Sequence, residues 1–260
     1  MSQSAITPVV LTWNESANIE RTLARLGWAE KVLVVDSGSD DGTQEIARRF
    51  GNVVVVERPF DDHASQWEFG IRHPEVPTDW VLALDADYVL TTELEAELAR
   101  LPLGDRGAAG YRARFVYCID GRPLRASLYP PVIVLFDRRH ASYVQQGHTQ
   151  RLELDGEVRD LSAPIRHDDR KGFERYVEAQ GRYAKLEAER LRGAALSKLS
   201  WSGRLRKLRI VAPWAVPLWV LFGRGLLLEG GRGLAYARQR FVAEKMIARE
   251  LWRSPKAGEG

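Results

Sequence analysis

Asp85 and Asp87 stand one residue apart where the apolar run Trp80-Val81-Leu82-Ala83-Leu84 stops. Alternation along a strand puts residues two apart on the same side, so both carboxylates can face one ion. At the rim of a sheet such a pair can hold a hard divalent cation against a phosphate. Without a cation the two carboxylates repel and one of them is harder to ionise. A second run, Lys31-Val32-Leu33-Val34-Val35, also ends in acidic and small residues, Asp36-Ser37-Gly38-Ser39-Asp40-Asp41-Gly42-Thr43. Asp36 there can accept from a nucleobase imide or a ribose hydroxyl, and Gly38 and Gly42 permit tight turns. A third polar segment, Thr12-Trp13-Asn14-Glu15-Ser16-Ala17-Asn18, offers donors and acceptors for a base or ribose. Together the three suggest a nucleoside-diphosphate site. Each also has a plainer reading, as the cap of the helix that follows it.

The elements that must position these residues alternate along the first hundred positions. Residues 6–13, 31–35, 53–57 and 80–84 read as strands. Residues 16–26, 43–50, 63–72 and 92–101 read as helices, with Ile19, Leu23 and Leu26 on one face of the first and Ile46, Ala47 and Phe50 inward on the second. That alternation predicts an α/β fold with a mainly parallel sheet flanked by helices and ligands at the strands' carboxyl ends. Between residues 110 and 167 the pattern changes to strands at 111–119, 132–137 and 151–154, joined by turns such as Asp120-Gly121. This reads as an acceptor-side extension of the same sheet. We expect a catalytic region over residues 1–165 and a basic, largely helical region over 166–260.

Charge supports that division. From Arg166 onward there are 21 Lys+Arg against 10 Asp+Glu, and before it 17 against 25. An acidic first part and a basic second part point to an anionic partner for the latter, against the alternative of a solvated helix face. The single cysteine, Cys118, rules out an internal disulfide framework and fits a reducing cytosol. No secretory signal is expected at the N-terminus.

Three stretches, Thr12-Trp13-Asn14-Glu15-Ser16-Ala17-Asn18-Ile19, Val34-Val35-Asp36-Ser37-Gly38-Ser39-Asp40-Asp41-Gly42-Thr43 and Leu84-Asp85-Ala86-Asp87, resemble in order and spacing the family 2 glycosyltransferases, over roughly residues 5–140. Tyr129-Pro130-Pro131 before Val134-Leu135-Phe136-Asp137-Arg138, with the region from Pro213 to Ala248, resembles the branch that adds glucose to the lipopolysaccharide inner core. The resemblance implies a nucleotide-sugar-binding fold of the GT-A type and an inverting transfer from a UDP-sugar, UDP-glucose above all, to a glycolipid or lipid-linked saccharide. It implies Glu15 and Asp36 near the uridine. Asp85 and Asp87 would serve ribose and metal, with Asp87 ligating Mg2+ or Mn2+. Thr12, Asn14, Ser37, Gly38, Asp40, Gln66, Ala86 and Arg138 complete the candidate donor-side residues.

The base that takes the acceptor's proton is where the chain departs from that pattern. The core-glucosyltransferase branch has His-Glu where this chain has Gly147-His148-Thr149. Threonine cannot act as the base, whereas His148 can, because imidazole titrates near neutrality. Asp120 and Asp168 are the alternatives, and a structural histidine is the competing role for His148. Gln66-Trp67 also departs, since Lys-Asn or Arg-Asn is commoner there. Arg138 and Arg139 could face phosphate or simply be solvated. His167-Asp168-Asp169 resembles a metal-binding cluster but lacks a zinc ligand set, and we read it as supporting the metal or the acceptor.

Residues 210–222 are apolar and Leu226-Leu227-Leu228 continue them, but Pro213, Pro217 and Arg224 interrupt the stretch. A spanning helix needs about 20 apolar residues, so a simple crossing is not expected. Arg204, Arg206, Lys207 and Arg209, with Trp201, Trp214 and Trp219, fit a segment over 201–228 lying on an anionic membrane. The alternative is a helical pair packed on protein. We expect a peripheral or monotopic protein at the cytoplasmic face of the plasma membrane, with no nucleic-acid partner. Two rivals stay open: a membrane-bound nucleotide-sugar binder without turnover, and a sugar-nucleotide nucleotidyltransferase. The second would need a Gly-rich basic loop after the first strand, and Thr12-Trp13-Asn14-Glu15 is not one.

Overall fold

Apolar runs at regular spacing become strands because a parallel sheet covered on both faces can use side chains of either parity. In the computed structural model, which describes residues 5–104, 108–146 and 149–253, the first half runs β1 (Ile6–Thr12), α1 (Ile19–Ala24), β2 (Val32–Asp36), α2 (Thr43–Ala47), β3 (Val53–Glu57), α3 (His63–Arg72), β4 (Trp80–Asp85), β5 (Tyr88–Leu90) and α4 (Thr92–Leu98). Then come β6 (Gly110–Ala113), β7 (Phe115–Ile119), β8 (Arg122–Pro123), β9 (Val132–Asp137), β10 (Ala141–Gln146), β11 (Thr149–Leu154), β12 (Val158–Asp160) and β13 (Ile165–His167). A seven-stranded sheet has the order β12-β6-β9-β4-β1-β2-β3. Within it β4, β1, β2 and β3 are parallel, and β9 enters antiparallel to both β4 and β6. The expected mixed α/β fold with a mostly parallel central sheet is what forms.

The order creates the site. Chain succession goes from β1 to β2 on one side, and β4 then inserts on the other side of β1. Strand order therefore reverses between β1 and β4, and in open α/β sheets ligands bind outside the carboxyl ends at such a switch point. Register aligns those ends: Leu11 pairs with Asp85 and Thr12 with Asp36. The two acidic strand ends thus share one rim with the polar segment that follows β1.

Alternation divides the core between the faces of the sheet. Val10, Val34, Leu82 and Leu84 pack with Leu23 of α1, Ala47 of α2 and Leu94 of α4. Val9, Leu33, Val35 and Val81 pack with Trp67 and Ile71 of α3. The helix α3 lies so close to the sheet that a Cβ at Gly70 would come within 2.9 Å of the Val9 side chain.

The expected single strand over 111–119 divides in two. β6 stays in the large sheet, while β7 joins a four-stranded sheet of order β5-β13-β7-β8. The two- and three-residue strands β5, β8, β12 and β13 are too short to produce a readable period, and their partners fix them instead.

The molecule divides into two units. One comprises Met1–Pro123 with Tyr129–Arg170, and the other Leu124–Leu128 with Lys171–Gly260. The second is helical: α5 (Phe173–Gly193), α6 (Trp201–Lys207), α7 (Ala212–Leu218) and α8 (Gly231–Trp252). Its interior holds an ionic knot. Glu244 of α8, buried, accepts both branches of the Arg206 guanidinium at 2.9 and 2.7 Å, and Arg206 also reaches Glu187 of α5 at 2.9 Å. Pro217 sits inside α7, and a π-helical turn, Trp219–Gly223, follows directly. Trp201, Ile210, Trp214, Trp219, Phe222 and Leu228 are all exposed, from 57% to 80%. Among the described residues no helix is long and apolar enough to cross a membrane.

Candidate active site

The loops after β1 and β2 are stitched together by side chains. Asp36 is fully buried, and its carboxylate accepts from Thr12 Oγ1 at 2.8 Å, Gly38 N at 3.1 Å, Ser39 N at 2.8 Å, Ser39 Oγ at 2.6 Å and Gln44 Nε2 at 2.8 Å. These bonds anchor Asp36 between the end of β1, the loop after β2 and the start of α2. Asn14, in the left-handed region at φ 54, donates its N–H to Ser39 Oγ and accepts from Asp40 N with its amide oxygen. Glu15 N donates to Thr43 Oγ1, and Ser16 N to Asp41. Gln66 is buried too, and its amide donates to Ser37 Oγ at 3.0 Å. Thr12, Asn14, Glu15, Ser37, Gly38, Asp40 and Gln66 therefore converge on one rim.

Asn18 carries the connection further. Its side chain is fully buried and uses every face of the amide. Nδ2 donates to Glu15 Oε2 at 2.8 Å and to Asp169 Oδ1 at 2.9 Å, while Oδ1 accepts from Arg21 Nη2 at 2.9 Å and Arg170 N at 2.8 Å. One helical turn on, Thr22 Oγ1 donates to the carbonyl of Ala86 at 2.7 Å. The start of α1 thus fixes the end of β4 and the segment after β13. Asn18 stood in the polar segment after β1 without a role, and the missed signal was an asparagine immediately before the first apolar position of α1.

Those two segments meet beside Asp85 and Asp87. Asp85 is exposed at the end of β4, and Asp87 is half-buried with Oδ2 3.4 Å from Nε2 of His167. Pairing of β13 with β5 sets His167 opposite Tyr88, and Asp168 N donates to the carbonyl of Asp87 at 2.9 Å. Among the described residues no group of three or more His, Cys, Asp or Glu is close enough to enclose a metal. Mg2+ and similar ions do not require one, since they commonly take one or two carboxylates and complete their shell with phosphate oxygens and water. Asp87, with Asp85 beside it, offers carboxylates of that kind, and the His167 imidazole adds a nitrogen donor. The phenol of Tyr88 is pushed far above its ordinary value, chiefly by burial and further by Asp85 and its bond to Tyr129, so it stays protonated.

Cationic groups surround the same segment. Arg170 grips Asp168 through Nε at 2.8 Å and Nη2 at 3.0 Å, and this bond raises its pKa. Arg21 lies 3.6 Å from the same carboxylate, and burial pulls its pKa down despite Asp168. A base must have a lone pair to offer, and Asp168 is held between two guanidiniums. Asp120 is exposed at the β7–β8 turn, next to Gly121, whose bare Cα makes room for Arg170: a Cβ there would lie 1.8 Å from Nη2. His148 lies outside the described residues. Burial pushes the Cys118 thiol up to about 11, which leaves it inert near neutrality.

Arg138 does not join the site. Register pairs Asp137 with Trp80, the first residue of β4, so the antiparallel β9 delivers Arg138 to the rim opposite Asp85. There its guanidinium donates to the carbonyl of Ile71 at 2.9 Å, and Arg139 binds Asp137 and Asp79.

This arrangement, acidic strand ends at the switch point of a mostly parallel sheet, lies within residues 7–172, which match the model of glycosyl transferase family 2. The chain belongs to that family. Curated relatives include an uncharacterized glycosyltransferase of Rickettsia bellii, 31% identical over 53% of this chain and 48% of its own length. Another, from Rickettsia prowazekii, is 36% identical over 36% of this chain and 31% of its own. The chain therefore spans about half or less of the curated relatives it matches. Among solved structures, residues 1–349 of Staphylococcus aureus TarS are similar at a TM-score of 0.48 and 14% identity, covering 94% of this chain and 90% of that one. Glucosyl-3-phosphoglycerate synthase from Mycobacterium tuberculosis, solved with Mn2+, uridine-diphosphate and phosphoglyceric acid, gives 0.45 and 18% over 69% and 76%.

The role of Asn18 as the joint between these loops is testable by an isosteric change. Asn18→Asp replaces a donor facing Glu15 and Asp169 with a third carboxylate, whose ionisation the folded state resists. A carboxyl with a raised folded pKa loses stability as pH climbs through that range. Urea unfolding should show a deficit against wild type that is small near pH 4 and grows toward pH 7. A deficit independent of pH would contradict the assignment.

Proposed function

We propose that this chain is an inverting, divalent-cation-dependent transferase that moves a sugar, glucose from UDP-glucose, onto a hydroxyl of a membrane glycolipid or lipid-linked saccharide. The observation that carries the reading is the Asp87–His167 pair beside Asp85, at the rim where the loops after β1 and β2 are cross-linked. Asp87 and His167 would hold Mg2+ or Mn2+, with Asp85 adjacent. When bound, the cation offsets negative charge developing on the departing diphosphate. Asn14, Ser37, Gly38 and Asp40 present donors and acceptors to base and ribose from a loop that Asp36 makes rigid. Arg170 and Arg21 bring two guanidiniums to the segment after His167, where they offset the carboxylate of Asp168.

In the transfer, a bond forms between the acceptor oxygen and the anomeric carbon while the bond to the diphosphate oxygen breaks on the opposite face. The hydroxyl proton needs an acceptor. We assign it to Asp120, whose carboxylate is exposed beside Arg170, with His148 as the second candidate. Asp168 holds Arg170 in place.

A glycolipid acceptor is favoured by the second unit. Its exposed Trp201, Trp214, Trp219 and Phe222 lie in sequence among Arg204, Lys207, Arg209 and Arg224, the composition of a segment resting in the headgroup layer.

Purified protein with Mn2+ should bind UDP and release it from UDP-glucose in the presence of a membrane lipid extract, and Asp87→Ala should remove turnover. Asp120→Asn should lower kcat at least about a hundredfold while UDP binding persists. Full turnover by Asp87→Ala would contradict the metal assignment, and an unchanged kcat in Asp120→Asn would move the base to His148. In flotation, the protein should rise with anionic vesicles at low salt, and the combined Trp214→Ala, Trp219→Ala, Phe222→Ala variant should stay behind. Equal flotation of both would contradict the membrane face.

A further inference from the structure

We infer that Tyr129 and Tyr117 are positioning residues that clamp the His167 imidazole against Asp87 and thereby set the corner's affinity for a divalent cation. The inference rests on the reading above, in which that corner holds the cation.

The clamp starts with strand register. In the four-stranded sheet His167 lies opposite Tyr88 on one neighbour and opposite Tyr117 on the other. Residues directly opposite on adjacent strands share a face and touch, so Tyr88, His167 and Tyr117 form one row. The ring of Tyr117 lies 4.9 Å from the imidazole at an interplanar angle of 24°, a stacked arrangement. The ring of Tyr129 comes from outside the row and lies 4.6 Å from the imidazole at 35°. Tyr88 approaches at 5.7 Å and 57°. Three aromatic rings therefore limit how the imidazole can turn, and the direction they leave to it points Nε2 at Asp87, 3.4 Å away.

Tyr129 is itself held in place. Its hydroxyl bonds that of Tyr88, and its ring packs on Phe115 at 5.0 Å. Two prolines follow it. Pro130 restricts the backbone of Tyr129 to extended conformations, and Pro131 does the same for Pro130. This gives the Tyr-Pro-Pro motif a physical purpose, a stiff segment that delivers one ring to one place.

The effect is one of pre-organisation. β13 has only three residues, and a histidine at its last position would otherwise sample several rotamers. Partners that orient a metal-ligating histidine are typically worth 10- to 100-fold in metal affinity. Stacking by Tyr117 and Tyr129 contributes to that orientation here.

The test titrates Mn2+ into the whole protein with saturating UDP and reads free Mn2+ by its electron paramagnetic resonance signal. UDP affinity without metal and the melting temperature are measured alongside. Wild type should bind Mn2+, and His167→Ala should lose most of that affinity. Tyr129→Leu should weaken Mn2+ binding about tenfold with metal-free UDP affinity unchanged, Tyr129→Phe should recover most of the loss by restoring the ring, and Tyr117→Leu should behave like Tyr129→Leu. If wild type with UDP binds no Mn2+, the reading of the corner fails and the inference falls with it. If His167→Ala weakens binding but both leucine variants match wild type, the clamp alone is overturned. A leucine variant that loses metal-free UDP affinity in equal measure, or a phenylalanine variant as weak as leucine, also overturns it.

Discussion

One backbone hydrogen bond organises the site: the N–H of Asp168 donating to the carbonyl of Asp87 at 2.9 Å. It continues the antiparallel pairing of β13 with β5 by one step and returns a distant part of the chain to the end of β4. Without that return, Asp85 and Asp87 would be two acids at a strand end with only each other for company. With it, Asp87 faces a histidine, the guanidiniums of Arg21 and Arg170 come alongside, and an aromatic row closes behind them. The small four-stranded sheet exists to make this junction. Its strands are too short to build a core of their own, and they depend on the seven-stranded sheet for support.

The surrounding polar groups follow one rule. A buried donor or acceptor is costly unless matched, and here matching is used to fix loops. Asp36 and Asn18 are both fully buried, and both satisfy the full capacity of their side chains with partners from several segments. Asp36 binds the loop after β1 to the loop after β2, and Asn18 binds the first of these to the segment after β13. Loops tied in this way lose little further freedom when a ligand arrives, which is the advantage of a pre-formed site. The second unit applies the same rule in its interior, where Glu244 and Glu187 match Arg206. It buries Leu191, Leu199, Ile247 and Leu251 together and leaves Trp201, Trp214, Trp219 and Phe222 on the outside.

Much of this was readable in the residues, and the limits are physical. The parallel sheet and the acidic strand ends at its carboxyl rim were legible because strand–helix alternation and a carboxylate that ends an apolar run are local signals. Asp85 and Asp87 announce themselves by ending an apolar run. His167 could be noticed only as part of a cluster, because its partner is set by a three-residue strand whose pairing is non-local. Arg138 was misplaced because β9 runs against its neighbours, and direction cannot be read from an apolar run. Asp36 was legible in position, whereas its partners were not: they come from Thr12, from the loop itself and from Gln44, and only folding brings them together. The match to glycosyl transferase family 2 covers residues 7–172.

The central claim is that Asp87 and His167 form a single cation-binding corner. Anomalous diffraction at the manganese edge from crystals grown with Mn2+ and UDP tests it most directly. The account predicts an anomalous peak in direct contact with the side chains of both residues and with the diphosphate. A diphosphate bound with no peak between Asp87 and His167, or a peak held elsewhere on the rim, would contradict it.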